Sequence, residues 1–204
     1  ETFDEYVGTH ISNGKLAEFL KLIVDMTPNL VREFPHKLGQ KAVSRNMFGE
    51  ATKELDAWAN EYFIDTFISS GLVRKIYSEE VWGEVEGTRG APFTVAIDPL
   101  DGSSNIVSNN PFGTIIGIYK DDLPVPGRKL VCALYKLYGP MTTLVVATGK
   151  GVAELVQTWK GDCKYKVLNE NLKLPKEPKV FGTGAKLTEM LPAYYAFIKY
   201  LAKE

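Results

Sequence analysis

The apolar positions divide the chain into a helical first third and a strand-rich remainder. Between Leu16 and Phe34, the residues Leu16, Phe19, Leu20, Ile23, Val24, Met26 and Leu30 recur at helical spacing and predict one broad apolar face. Pro28 falls inside this stretch and is expected to kink or split the helix. Residues 35–50 mix Pro35, Gly39 and Gly49 with polar residues and read as a long loop, a kind of segment that usually serves function. A second helix is predicted over residues 51–69, with Leu55, Ala59, Tyr62, Phe63 and Phe67 on one face and Gly71 ending it.

After Gly71 the pattern changes to short apolar runs between turn residues. Strands are predicted at Val73–Tyr77, Phe93–Ile97, Thr114–Tyr119, Leu130–Tyr138, Thr142–Thr148, Val152–Thr158, Lys164–Leu168 and Lys179–Phe181. The turn signals Tyr138-Gly139-Pro140 and Gly149-Lys150-Gly151 make successive hairpins the simplest connection. Helices gathered before a mostly antiparallel sheet point to a layered α+β sandwich. A last helix is expected over Met190–Glu204, where it would open a further layer. Glu1 is not a methionine and the final helical pattern has no glycine cap, so both ends read as cut.

Composition narrows the chemistry. The chain has 204 residues and is 45% hydrophobic, enough for a sizeable core, and its formal net charge is −1. That balance excludes a general polyanion or nucleic-acid binder, so any phosphate must be met locally by a metal or by aimed amides. No apolar stretch is long enough to span a membrane. Of the two cysteines, Cys132 lies in a strand-like run and reads as core, and Cys163 sits in a polar turn. No disulfide framework follows, so a cytosolic location is expected. His10 and His36 stand far apart with no other soft ligand near them, which argues against zinc.

The densest chemistry lies at Asp98-Pro99-Leu100-Asp101-Gly102-Ser103-Ser104-Asn105, directly behind the apolar run Phe93–Ile97. Two aspartates three apart at a strand end can converge on one hard cation, and an oxygen-only site suits Mg²⁺ or Mn²⁺. Gly102 lets the backbone turn, and the Ser-Ser-Asn that follows are residues that cap helices and leave N–H groups exposed. A cation beside aimed amides is a site for a phosphate ester. The plainer reading, an Asx-turn ending a strand, accounts for a bare Asp-x-x-Asp but not for the glycine and the capping residues together.

Three further acidic positions fit the same need. Glu79 and Glu80 follow the strand Val73–Tyr77, and neighbours on a strand face opposite ways, so one ligand and one base is the natural division. Asp56 borders the apolar face of the second helix, and Glu50 lies beside Gly49 in the loop before it. Two or three divalent ions at one phosphate require about four to six carboxylates from several segments. An EF-hand fails on spacing, and no glycine-rich run precedes Lys-Ser or Lys-Thr as a Walker loop requires.

Asp-Pro-Leu-Asp-Gly-Ser-Ser-Asn, with Ser78-Glu79-Glu80 about twenty residues earlier, resembles the fructose-1,6-bisphosphatase branch of the magnesium-dependent, lithium-sensitive phosphatases. The likeness continues in Gly113–Tyr119, in Pro126–Val131, in Leu134–Gly139 and in the spacing of Gly49-Glu50 and Leu55-Asp56. It covers residues 44–181 and implies the layered αβαβα sandwich of that group, mainly its N-terminal half. Residues 1–178 would form a metal-binding domain, and residues 179–204 would begin a substrate domain lying mostly beyond Glu204. The implied activity is hydrolysis of the 1-phosphate of fructose 1,6-bisphosphate with two or three Mg²⁺ (or Mn²⁺), in a homodimer or homotetramer.

By resemblance, Glu79, Asp98 and Asp101 ligate metal with side chains and Leu100 with its carbonyl. Glu80 and Asp56 orient and deprotonate the attacking water, Glu50 lies on a loop closing over the metals, and amides of Gly102, Ser103 and Ser104 hold the phosphate. Departures occur at Phe181–Lys186, where the branch often carries a phosphate-binding asparagine, and at Pro92-Phe93, Lys120 and Asn13–Lys15, where AMP-regulated members differ. Two alternatives stand beside this reading. One is a phosphatase for sedoheptulose or inositol phosphates; the other is a fragment that binds metal and phosphate with little turnover.

Overall fold

The computed structural model describes residues 1–37, 42–45, 51–158, 165–177, 180 and 191–202. Helix α1 (Phe3–His10) opens on a capping box in which Thr2 and Glu5 satisfy each other's backbone N–H groups. Helix α2 runs unbroken from Gly14 to Lys37 with Pro28 and Pro35 inside it, so Pro28 does not split the helix and the loop expected from residue 35 starts later. Its burial explains this: Phe19, Leu20, Ile23 and Leu30 lie at 0–1% exposure on both sides of Pro28, and packing outweighs one lost backbone bond.

Strands β1 (Ala42–Arg45) and β2 (Ala51–Lys53) pair antiparallel within the segment read from sequence as loop and helix start. Helix α3 (Glu54–Ser69) therefore begins three residues later than expected, and Gly71, at φ +69°, follows its end. Then come β3 (Val73–Ser78), the short β4 (Val85–Glu86), β5 (Phe93–Asp101), a 3₁₀ turn at Ser103–Ser108 and β6 (Phe112–Tyr119). Three hairpin-linked strands follow, β7 (Leu130–Tyr138), β8 (Thr143–Thr148) and β9 (Gly151–Gln157), and then β10 (Tyr165–Asn169).

These eight strands form one sheet in the order β10-β9-β8-β7-β6-β5-β3-β4. The run from β5 to β10 is antiparallel throughout, as the hairpin reading anticipated. The β3–β5 pair is parallel, which places the C-terminal ends of both strands side by side. One sheet face packs on α1, α2 and α3 through Phe19, Phe63, Phe67, Val73, Phe93, Ile116 and Leu134. Cys132 is in this core, where burial pushes its thiol up to about 12 and keeps it protonated.

The chain divides into two compact units, Glu1–Leu172 and Lys173–Glu204. The second contains α4 (Pro192–Leu201), shorter than the helix expected from Met190, with Lys199 4.7 Å above the ring of Tyr195. Glu50, Cys163 and the strand expected at Lys179–Phe181 lie outside the described residues, except for Val180.

Candidate active site

The parallel β3–β5 pair brings the two acidic motifs together. Ser78 pairs with Ile97, and the N–H of Glu79 donates to the Ile97 carbonyl at 3.0 Å, so β3 delivers Glu79 and Glu80 beside Asp98. The strand β5 does not end at Ile97 as read from sequence but runs on to Asp101 with a bulge. Asp98 stands opposite Ile115 of β6 and Asp101 opposite Gly113, so three steps on β5 match two on β6. Within the bulge Leu100 N–H donates to Asp98 Oδ1 at 3.1 Å, and Pro99 has no N–H to satisfy.

Charge accumulates at this point. Burial first, then the neighbouring charges of Glu79 and Asp101, push Asp98 up to about 7, and Glu80 adds to the effect. Three carboxylates, Glu79 and Glu80 just past β3 and Asp101 at the end of β5, thus act on half-buried Asp98, an electrostatic arrangement that a cation would relieve. The donor set is hard oxygen, which suits Mg²⁺. As the side chains stand, no three acidic, His or Cys groups among the described residues close on a single point tightly enough to hold an ion. The four groups are hard-oxygen donors gathered at the ends of adjacent strands, a donor set whose chemistry fits a divalent cation.

Helix α3 supports the site from the core side. Asp56 is 3% exposed, more deeply set than its place at the border of the apolar face predicted. Asn60 lies one turn further along the same face, and its Oδ1 accepts the Ser78 hydroxyl at 2.6 Å. That bond pins the face carrying Asp56 against the end of β3. The Ser78 Oγ also accepts from Glu80 N–H at 3.3 Å. Sequence reading missed Asn60; its signal was a polar residue four positions after Asp56 on an otherwise apolar face.

Past Asp101 the chain turns at Gly102, whose φ of +73° favours glycine. The first bond of the 3₁₀ turn is Asn105 N–H to the Gly102 carbonyl at 2.8 Å, so the N–H groups of Ser103 and Ser104 lie ahead of it. Asn105 braces the loop by donating from Nδ2 to Pro111 at 2.9 Å. On the sheet face away from the helices, a cleft of about 610 Å³ is lined by Glu79, Asp98, Tyr77, Ile115, Gly117 and Tyr135. The structure thus gathers Glu79, Glu80, Asp98 and Asp101, sets Leu100 between the aspartates, and places Gly102, Ser103 and Ser104 directly after them.

A mixed sheet covered by helices on one face, with carboxylates at adjacent strand ends, is the framework against which known proteins compare. The chain matches the model of the fructose-1,6-bisphosphatase N-terminal domain over residues 15–163 and belongs to that family. The class 1 fructose-1,6-bisphosphatase of Natronomonas pharaonis is 35% identical over 192 residues, covering 93% of this chain and 67% of that protein. That of Methanocorpusculum labreanum is 37% identical over 184 residues, covering 90% and 56%. The chain spans about three fifths of the length of the curated relatives it matches. In fold, it is similar to fructose-1,6-bisphosphatase from Leishmania major in holo form, with a TM-score of 0.87 at 23% identity over 98% of this chain and 68% of that one.

Proposed function

We propose that the chain is the metal- and phosphate-binding part of a Mg²⁺-dependent phosphatase that hydrolyses the 1-phosphate of fructose 1,6-bisphosphate. The observation that carries this reading is the register of β3 on β5, which sets Glu79 and Glu80 beside Asp98 and Asp101, immediately ahead of the Gly102–Ser104 turn. Family membership and the names of the relatives support the same assignment.

Glu79, Asp98 and Asp101, with the Leu100 carbonyl, hold the cations. Two or three Mg²⁺ held there would supply Lewis-acid stabilisation of the phosphoryl charge and a water of lowered pKa. Glu80 and Asp56 would orient that water and take its proton, and Glu50, just before β2 in sequence, would assist. The amides of Gly102, Ser103 and Ser104 hold the phosphate in line. Phosphate monoester hydrolysis is among the slowest uncatalysed reactions, so fixed charges and dipoles must supply most of the acceleration. In this reading the protein is cytoplasmic, on the ground of its two cysteines with no disulfide framework, and homo-oligomeric.

A second reading is a chain that binds metal and phosphate with little turnover. Phosphate release from fructose 1,6-bisphosphate, sedoheptulose 1,7-bisphosphate and inositol monophosphate separates the readings. Turnover of the first at limiting Mg²⁺, lost on chelation, is the expected result. Preference for either of the others overturns the substrate assignment, and Mg²⁺ binding without release from any of them supports the second reading.

A further inference from the structure

The bulge between Asp98 and Asp101 is held from the core by two hydroxyls. Thr114 of β6 lies between Ile115 and Gly113, the residues opposite the two aspartates, and so faces the extra residue of β5. Thr114 is 0% exposed, and its Oγ1 donates to the Pro99 carbonyl at 2.8 Å. The same oxygen lies 2.9 Å from the Tyr138 hydroxyl. A threonine hydroxyl has one proton; since it goes to Pro99, Tyr138 must be the donor in the second bond. The result is a directed chain from Tyr138 O–H to Thr114 O–H to the carbonyl of Pro99.

Tyr138 cannot move aside easily. Its ring packs against Phe34 of α2 at 5.4 Å and Phe112 of β6 at 5.2 Å, and these two rings meet at 4.9 Å. Burial holds the phenol well above its ordinary range, so its proton stays available to Thr114 across the working pH range. A bulge without ladder bonds would let Asp98 and Asp101 vary in separation. Here the hydroxyl chain ties the bulged Pro99 carbonyl to β6 and β7.

We propose that Thr114 and Tyr138 are positioning residues that set the separation of Asp98 and Asp101 and thereby the metal affinity of the site. This rests on the metal reading given above. Neither side chain touches the ion or the substrate; both act through the Pro99 carbonyl. Outer partners of this kind change metal affinity by roughly ten- to a hundredfold when removed.

The test is titration of Mn²⁺ alone, followed by its electron paramagnetic resonance signal, beside the melting temperature of each variant. Thr114→Val keeps shape and removes the hydroxyl, and should weaken Mn²⁺ binding by roughly tenfold or more. Thr114→Ser restores the hydroxyl and should recover near wild-type affinity despite the lost methyl. Tyr138→Phe leaves the Thr114–Pro99 bond and should fall between them. Ile116→Val, on the same strand without a polar link, controls for loss of packing and should leave affinity unchanged. If Thr114→Val proves unfolded, the Ser and Phe variants still decide the matter. Wild-type affinity in Tyr138→Phe, or in a folded Thr114→Val, while wild type binds saturably, overturns the positioning role alone. Absence of saturable binding in the wild type overturns the metal reading and this proposal with it.

Discussion

Lys136→Met should stabilise the protein at neutral pH and remove most of its gain in stability between pH 7 and 9. Lys136 sits in the middle of β7 at 1% exposure, between Thr114 and Leu144 on the neighbouring strands. Its Nζ donates to the Ile23 carbonyl of α2 and lies 5.9 Å from the ring centroid of Tyr165. Burial lowers its pKa from 10.5 to about 7, and Asp25, on the same helix as Ile23, offsets this only in part. A lysine depressed in the folded state binds its proton more readily when unfolded, so folding is penalised below the unfolded value of 10.5. The penalty is complete below the folded value, near 7, and shrinks as pH rises.

A shift from 10.5 to about 7 corresponds to about 4 kcal/mol at pH 7 and about 2 kcal/mol at pH 9. Methionine fills similar space without the amine but leaves the Ile23 carbonyl unpaired, a loss of about 1–3 kcal/mol. The net gain at pH 7 is thus about 2 kcal/mol. Urea unfolding of both proteins at pH 7, 8 and 9 measures it, with wild type gaining about 1 kcal/mol per unit and the variant much less. A variant less stable than wild type at pH 7, with the same pH slope, would refute the neutral amine. It would indicate a compensated ammonium instead, whose removal is strongly destabilising.

The other predictions concern the site and its support. A Cβ at Gly113 would lie 2.6 Å from the Lys136 carbonyl, backbone against backbone, so Gly113→Ala should cost about 1–3 kcal/mol in denaturant unfolding. Since Gly113 is opposite Asp101, that variant should also bind Mn²⁺ less well than its stability loss alone would explain. Glu80→Gln should lower kcat far more than it weakens Mg²⁺ binding, whereas Glu79→Gln should weaken binding outright; calorimetry beside steady-state kinetics checks the division.

Much of this was legible because apolar period and burial agree. The faces of α2 and α3 and the order of β6 to β10 follow from spacing and turn residues. What escaped depended on distant partners. The pairing of β1 with β2 joins two short polar runs that carry no strand signal of their own. The extension of β5 through Asp101 relies on Gly113 and Thr114 across the ladder, because proline and two aspartates are poor strand formers. Helix α1 has only eight residues, and its sign was the Thr2–Glu5 capping pair rather than a long periodic face. Lys136 shares its strand face with Cys132, Leu134 and Tyr138, and the carbonyl of Ile23 and the ring of Tyr165 that meet its amine come from distant segments. The acidic motifs were legible individually, but their convergence comes from the parallel β3–β5 register.

The central claim is that the carboxylates at the ends of β3 and β5 bind divalent cations together with phosphate. The most direct measurement is the melting temperature of the wild type and of Asp101→Asn across a Mg²⁺ titration, with and without inorganic phosphate. Mass action predicts a wild-type shift that grows with the logarithm of Mg²⁺ and is larger with phosphate, reaching about 2.7 kcal/mol of stabilisation at a hundred times the dissociation constant. Asp101→Asn should melt close to wild type without metal and show almost none of this shift. No Mg²⁺-dependent shift in the wild type, or an equal one in Asp101→Asn, would contradict the account.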